Sequence, residues 1–350
     1  MKNKRLKRAL RSTLQSAPFT PIARLFAGVA TCLMYHRISP GGAADATIRT
    51  RFQPNLSLYV SEQEFEKQIA FLARRHRCVS IEEAVDGLLR GNLPPRTVVI
   101  TFDDGYRDNL LALPALERHR VPATIYVTSG AVGAPRPLWW DEQELFLATL
   151  ERVRVEWRGE ELRWDLSTPE RKEQAFREWN RLFKRMTPRE QNEFMELLRE
   201  AARDAMRGDG PSPFLTWDDV RMLDKHPLIT IGAHSVDHSV LSQLTVEELQ
   251  AQIVDSRNAL AEALGHSIDH FAYPFGGVEH AAEREFAAVR DAGFRSAVTT
   301  RHGHWYRASR RRIHCLPRIS VEFRHSVEDL QWKLSGLDVA LHKPLSAFGR

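Results

Sequence analysis

Two short segments carry side chains that hold metals and move protons: Thr101-Phe102-Asp103-Asp104-Gly105 and His234-Ser235-Val236-Asp237-His238. The first follows the apolar run Val98-Val99-Ile100, and the second follows Leu228-Ile229-Thr230-Ile231-Gly232-Ala233. Each therefore reads as the end of a strand. One carboxylate and two imidazoles make a three-donor set that leaves a coordination position open, as a hydrolytic metal centre requires. The other carboxylate is then free to move protons. Alone, Asp-Asp-Gly after a strand reads as a turn, and a lone His-x-x-x-His reads as surface or satisfied core. Both together, each at a strand end, carry the functional reading.

The elements that must position these groups follow from the apolar pattern. Candidate strands are 31–36, 98–102, 123–128, 229–234, 270–275, 296–300 and 316–320. Several are near-continuous apolar runs, as in a parallel sheet covered on both faces. Ser61-x-x-Glu64, Ser80-x-x-Glu83 and Thr245-x-x-Glu248 fit helix-opening capping boxes, with Thr216-x-x-Asp219 a looser version. After Thr245, Val246, Leu249, Ile253, Leu260 and Leu264 form one apolar helical stripe that Gly265 ends. Strands alternating with helices predict an α/β fold. About seven strands, with ligands at their C-terminal ends, favour a barrel with its chemistry at that end. Residues 141–213 break the rhythm. A hairpin around Arg158-Gly159-Glu160 precedes two hydroxyl-plus-proline helix starts, Thr168-Pro169 and Thr187-Pro188. This stretch reads as a helical insertion over one side of the barrel.

The 350 residues are 43% hydrophobic and 27% charged, ordinary for a globular chain with a sizeable core. No run of 18 apolar residues marks a membrane span. The net charge of +5 is partly local: eight Lys and Arg precede the first acid, Asp45. That basic arm could touch an anionic membrane surface or remain a solvated tail; no nucleic-acid module stands out. Three cysteines, Cys32, Cys78 and Cys315, lack metal or redox spacing and read as free buried thiols. The apolar run Leu25–Tyr35 flows into the first strand, so it does not read as a cleavable leader. The expectation is a cytoplasmic protein, either free or resting at the inner membrane face through the basic arm.

These motifs resemble the polysaccharide deacetylases, the NodB-homology group of carbohydrate esterases. Leu33-Met34-Tyr35-His36-Arg37-Ile38, Pro122-Ala123-Thr124, Phe271-Ala272-Tyr273-Pro274-Phe275-Gly276 and Leu316-Pro317-Arg318-Ile319 are similar to the branch containing biofilm poly-N-acetylglucosamine deacetylases. The resemblance implies an irregular (β/α)7 barrel over residues 31–335, with insertion 141–213, a basic arm 1–30 and a tail 336–350. It implies a divalent metal, zinc for preference, on Asp104, His234 and His238, with Asp103 as general base. It implies an oxyanion contact from the Phe275 backbone N–H. Many members carry an Arg where this chain has Ala272, so Arg318 is the candidate to tune Asp103. The late Leu-x-x-His motif that supplies the acid is not found after residue 275; Leu223-Asp224-Lys225-His226 stands in the wrong order. His36, His302, His304 and His314 are the acid candidates. Tyr273, Trp139 and Trp140 are candidate sugar contacts, the two tryptophans reading equally as core, and Ser235 is a candidate to orient a ligand. The expected substrate is an acetylated glycan or glycoconjugate, N-acetyl before O-acetyl. The rivals are a hydrolase of small N-acyl or cyclic amide compounds and an inactive, metal-retaining glycan-binding protein.

Overall fold

The computed structural model describes residues 27–40, 52, 54–134, 137–203 and 212–342. Most of the expected basic arm and residues 343–350 of the expected tail lie outside them.

Seven parallel strands form the barrel. β1 (Ala30–Tyr35) leads to α1 (Glu62–Arg75), α2 (Ile81–Arg90) and β2 (Thr97–Phe102). α3 (Leu113–His119) precedes β3 (Ala123–Val127). The insertion follows: α4 (Trp139–Thr149), an antiparallel hairpin Arg152–Trp157 with Glu160–Asp165, α5 (Pro169–Phe183) and α6 (Pro188–Ala202). α7 (Trp217–Asp224) then leads into β4 (Ile229–Ala233), α8 (Val246–Leu264), β5 (His270–Ala272), α9 (Glu283–Asp291), β6 (Ser296–His302) and β7 (Leu316–Ser320). α10 (Val327–Leu334) and α11 (Leu337–His342) close the described chain.

Neighbouring strands pair in the order β1-β7-β6-β5-β4-β3-β2, and β1 pairs β2 to close the ring. The register Tyr35↔Phe102, Phe102↔Ile125 and Val127↔Ala233 brings the C-terminal ends of four strands to one rim. Residues just past those ends, His36, Asp103 and His234, therefore share that rim. The predicted strands are all present, but β5 stops at Ala272 rather than reaching Phe275, because Pro274 has no N–H to give the ladder. Two three-residue strands, Arg37–Ser39 and Tyr59–Ser61, also pair in parallel; they are too short to show a period.

The helix openings follow the sequence. Ser80, Thr187, Thr216 and Thr245 each close a capping box, and Ser61 and Thr168 cap with their hydroxyls. Gly265 ends α8 in the left-handed conformation, φ 80°. Gly232 in β4 has its own reason: a Cβ there would lie 2.5 Å from the Tyr126 ring. That ring lies 5.7 Å from the Arg318 guanidinium.

The insertion has its own apolar cluster, with Trp139, Phe146, Trp179, Phe183 and Phe194 at its centre. Its first helix begins at Trp139, two residues before the expected boundary. All three cysteines are free, but only Cys32 is buried. No helix among the described residues is long and apolar enough to cross a membrane.

Candidate metal centre

Asp104, His234 and His238 converge, with one ligand atom from each lying within 4.8 Å of the others. Nε2 of His234 lies 3.4 Å from Asp104 Oδ1, and Nε2 of His238 lies 3.3 Å from the same oxygen. Local backbone makes this possible. Asp104, Ser235, His238 and Phe275 all take positive φ, between 52° and 75°. Such conformations cost about 1–3 kcal/mol each and cluster where a site over-determines them. Nδ1 of His234 lies 2.7 Å from the Ala272 carbonyl. A proton on Nδ1 donates there and turns the Nε2 lone pair to the centre. Ser235 Oγ accepts from the His238 backbone N–H at 3.0 Å, steadying the turn that carries the second imidazole.

All three side chains are buried. Burial pushes the Asp104 carboxyl up, but its contacts with His234 and His238 dominate and hold it well below the ordinary value. Burial lowers His234, yet Asp104 and Asp103 raise it overall; in His238 burial wins and the net is downward. Asp104 Oδ1 and His238 Nδ1 have no hydrogen-bond partner among the described residues. A buried carboxylate oxygen left so is expensive. One carboxylate and two imidazoles around a common point fit a divalent ion of zinc's character.

Asp103 is separate from this set. Arg318 Nη1 and Nη2 donate to its Oδ1 and Oδ2, each at 2.6 Å. The guanidinium is itself held by Nε donating to the Thr299 carbonyl at 3.0 Å and Nη1 to Thr101 Oγ1 at 3.1 Å. Burial raises the Asp103 carboxyl, but Arg318 first, then His234 and His36, bring it below its ordinary value. The planar fork matches the carboxylate and fixes its plane. Ala272 lies buried in β5, so the cation beside Asp103 comes from β7.

The centre lies in a cavity of about 940 Å³ lined by His36, Asp103, Trp140, His238 and Phe275 among others. The Phe275 ring lies 4.7 Å from that of His238. Trp140 lies 4.4 Å from His238 and 6.5 Å from Phe275, with Nε1 donating to Tyr106 Oη at 2.9 Å. Trp139 stacks on Phe183 at 5.0 Å. Both tryptophans line the cavity and also belong to the insertion core. Tyr273 lines it too, but its hydroxyl donates to the His314 carbonyl at 2.8 Å, so that group is already engaged within the fold.

The other acid candidates are placed elsewhere. His302 pairs with Asp338 at 3.0 Å, His304 Nδ1 meets Thr31 Oγ1 at 2.7 Å, and His314 Nε2 meets the Phe294 carbonyl at 2.8 Å. His226 meets Glu117 on the surface at 2.9 Å. Only His36 of the four candidates lines the cavity. Two lining residues gave no motif signal: His280 sits in the loop after Phe275, and Lys184 ends α5. A Lys at a helix end reads as an ordinary solvated charge.

A family model described as polysaccharide deacetylase matches residues 90–297. The deacetylase PplD of Streptococcus pyogenes, solved with acetate, superposes with a TM-score of 0.57 at 18% identity, covering 87% of this chain and 97% of that one. IcaB of Ammonifex degensii gives 0.53 at 18%, covering 88% and 97%. The BpsB deacetylase domain of Bordetella bronchiseptica gives 0.51 at 13%, covering 84% and 96%. The protein YxkH of Bacillus subtilis (strain 168) is 34% identical over 104 residues, which span 29% of this chain and 32% of that one. The structural likenesses, at these identities, establish the closed seven-strand barrel as the shared fold.

Proposed function

The chain belongs to the polysaccharide deacetylase family, and from that premise we propose that it is a metal-dependent hydrolase removing acetyl groups from a glycan or glycoconjugate. N-acetyl is preferred to O-acetyl. The observation that carries the reading is the division of labour at the rim: three donors converge in Asp104, His234 and His238, while Asp103 stands apart, clamped by Arg318.

A zinc-like ion held by the three donors would supply Lewis acidity, polarising the acetyl carbonyl and lowering the pKa of a bound water towards about 7. Asp103 takes a proton from the attacking water, and Arg318 keeps it ionised and in plane. The Phe275 N–H stabilises the oxyanion as the carbonyl carbon becomes tetrahedral. His36 gives a proton to the leaving nitrogen, supported by its place in the cavity lining. An alkoxide leaves more easily than an amide ion, so an O-acetyl substrate needs His36 less. Trp140 forms an apolar wall for a sugar face.

The buried Asp103–Arg318 pair argues against an inactive glycan-binding protein, because desolvating two charges offers binding alone no return. The cavity volume is at the upper end for small-molecule sites, which favours several sugar units over a small amide. The basic arm meeting an anionic membrane on the cytoplasmic side remains part of the proposal, supported by its charges. Co-sedimentation with anionic and neutral vesicles tests it; equal partition removes it. The enzymatic reading is tested by acetate release from N- and O-acetylated envelope glycans. Release from small N-acyl amides alone would turn the assignment to the first rival.

A further inference from the structure

The insertion gives the cavity a cationic wall. Arg177, Arg181, Lys184 and Arg185 stand at i, i+4, i+7 and i+8 on and just beyond α5, so they share one face, and all four line the cavity. The opposite face, Ala175, Trp179 and Phe183, is buried in the insertion core. Arg177 and Arg181 are a like-charge pair four apart within α5, which opposes the helix unless something compensates it, and Arg185 adds a further positive charge just past its end.

Little in the chain does. Arg177 has Glu173 at 3.4 Å, an exposed pair. No carboxylate partners Arg181, Lys184 or Arg185 among the described residues. The described acids lining the cavity are Asp103, engaged with Arg318, Asp104, in the metal set, and Glu279. Lys184 leans inward: its Nζ lies 5.2 Å from the centre of the Phe275 ring, which itself lies against His238. Burial holds the Lys184 ammonium below its usual value, and burial with Lys184's charge does the same to His280. A half-buried cation with an aromatic face and no anion is a group set for a ligand. Removing an N-acetyl group also leaves an ammonium on the product. A polymer gaining only positive charge would be repelled by this wall.

We propose that the cavity takes an acidic glycan, whose carboxylate or phosphate groups dock on the Arg181–Lys184–Arg185 face of the insertion while the acetylated residue lies at the metal centre. This rests on the deacetylase reading but is separable from it, because anion docking needs no turnover.

The test is calorimetric titration of the whole protein with three probes at low salt: trigalacturonate, inorganic phosphate and the neutral trimer of N-acetylglucosamine. Binding of either anionic probe, weakened about tenfold when salt reaches about 0.5 M, is expected. The two anionic probes separate a carboxylate site from a phosphate site. The double reversal Arg181→Glu with Arg185→Glu should weaken anionic binding at least about tenfold more than binding of the neutral trimer. Lys184→Gln should act in the same direction by a smaller factor if the double variant melts early. Failure of the wild type to bind either anion, or anion binding unchanged in both variants, overturns the inference. Equal kcat/KM on neutral and uronate-containing acetylated glycans overturns it too, and leaves the deacetylase reading standing. Anion binding without acetate release from any glycan does the reverse.

Discussion

On the barrel side of the cavity Asp103, Asp104, His234 and Arg318 are buried; Arg318 clamps Asp103, and the Ala272 carbonyl holds His234. On the insertion side Arg177, Arg181 and Arg185 are exposed and stand on, or just past the end of, one helix. The difference fits the roles proposed for the two walls. Proton transfer and metal binding fail when atoms move by about an ångström, so those groups are placed by β-ladder register and fixed by bidentate or backbone contacts. Charge selection acts over a screened distance of several ångströms and tolerates mobile side chains. Substitutions on the barrel wall should therefore remove chemistry, and those on the insertion wall should change preference.

The largest expected effect is at His238. His238→Ala should lose bound zinc and acetate release together, read by elemental analysis beside turnover. Zinc retained in full would remove His238 from the ligand set. Asp103→Asn comes next: turnover falls by about 10²–10⁴ while zinc content stays at wild-type level. Zinc lost in that variant would mean the two carboxylates have been given each other's roles.

Arg318 sharpens the comparison through pH. The Asp103 carboxyl lies below its ordinary value because Arg318 outweighs burial. In Arg318→Ala burial is unopposed by that guanidinium, so the base protonates at higher pH and the acidic limb of kcat/KM moves up. An unmoved limb in a folded variant would retire Arg318 from the mechanism. Melting curves guard the interpretation, since an uncompensated buried carboxylate costs about 3–5 kcal/mol.

The smallest effect sits where the two walls meet. Asp141, on α4, accepts from Tyr106 Oη at 2.8 Å and lies 3.7 Å from Arg37. Burial pushes its carboxyl up to about 7, which Arg37 and Tyr106 only partly offset. A folded-state value above the unfolded one gives stability that is complete below about pH 4 and lost as pH rises through about 7. Asp141→Asn should flatten that loss, seen as a melting temperature that falls between pH 5 and 8 by about 2 °C less than in the wild type. Parallel curves would show that Asp141 is ionised throughout.

The barrel wall was largely legible in the sequence, and the insertion wall was not. Apolar runs that stop at Phe102 and Ala233 mark strands whose next residues must face a rim, so Asp103, Asp104 and His234 announce themselves. Ala272 in place of an Arg pointed to Arg318, which indeed reaches Asp103. The engagement of Tyr273 with His314 was not readable, because it depends on tertiary contact between β5 and the segment before β7. Lys184 and Arg181 read as solvated helix charges, because sequence periodicity gives the apolar face of α5 but not what its polar face overlooks. His280 follows a Pro and two Gly in a loop, where no period exists to orient it.

The proposed activity requires one divalent ion held by Asp104, His234 and His238. The most direct test strips the protein with chelator and follows acetate release from an N-acetylated glycan as zinc is returned. Release should be absent without metal and rise to a break at one zinc per chain. Full release from the stripped protein, or none at any zinc level on any acetylated glycan, would contradict it.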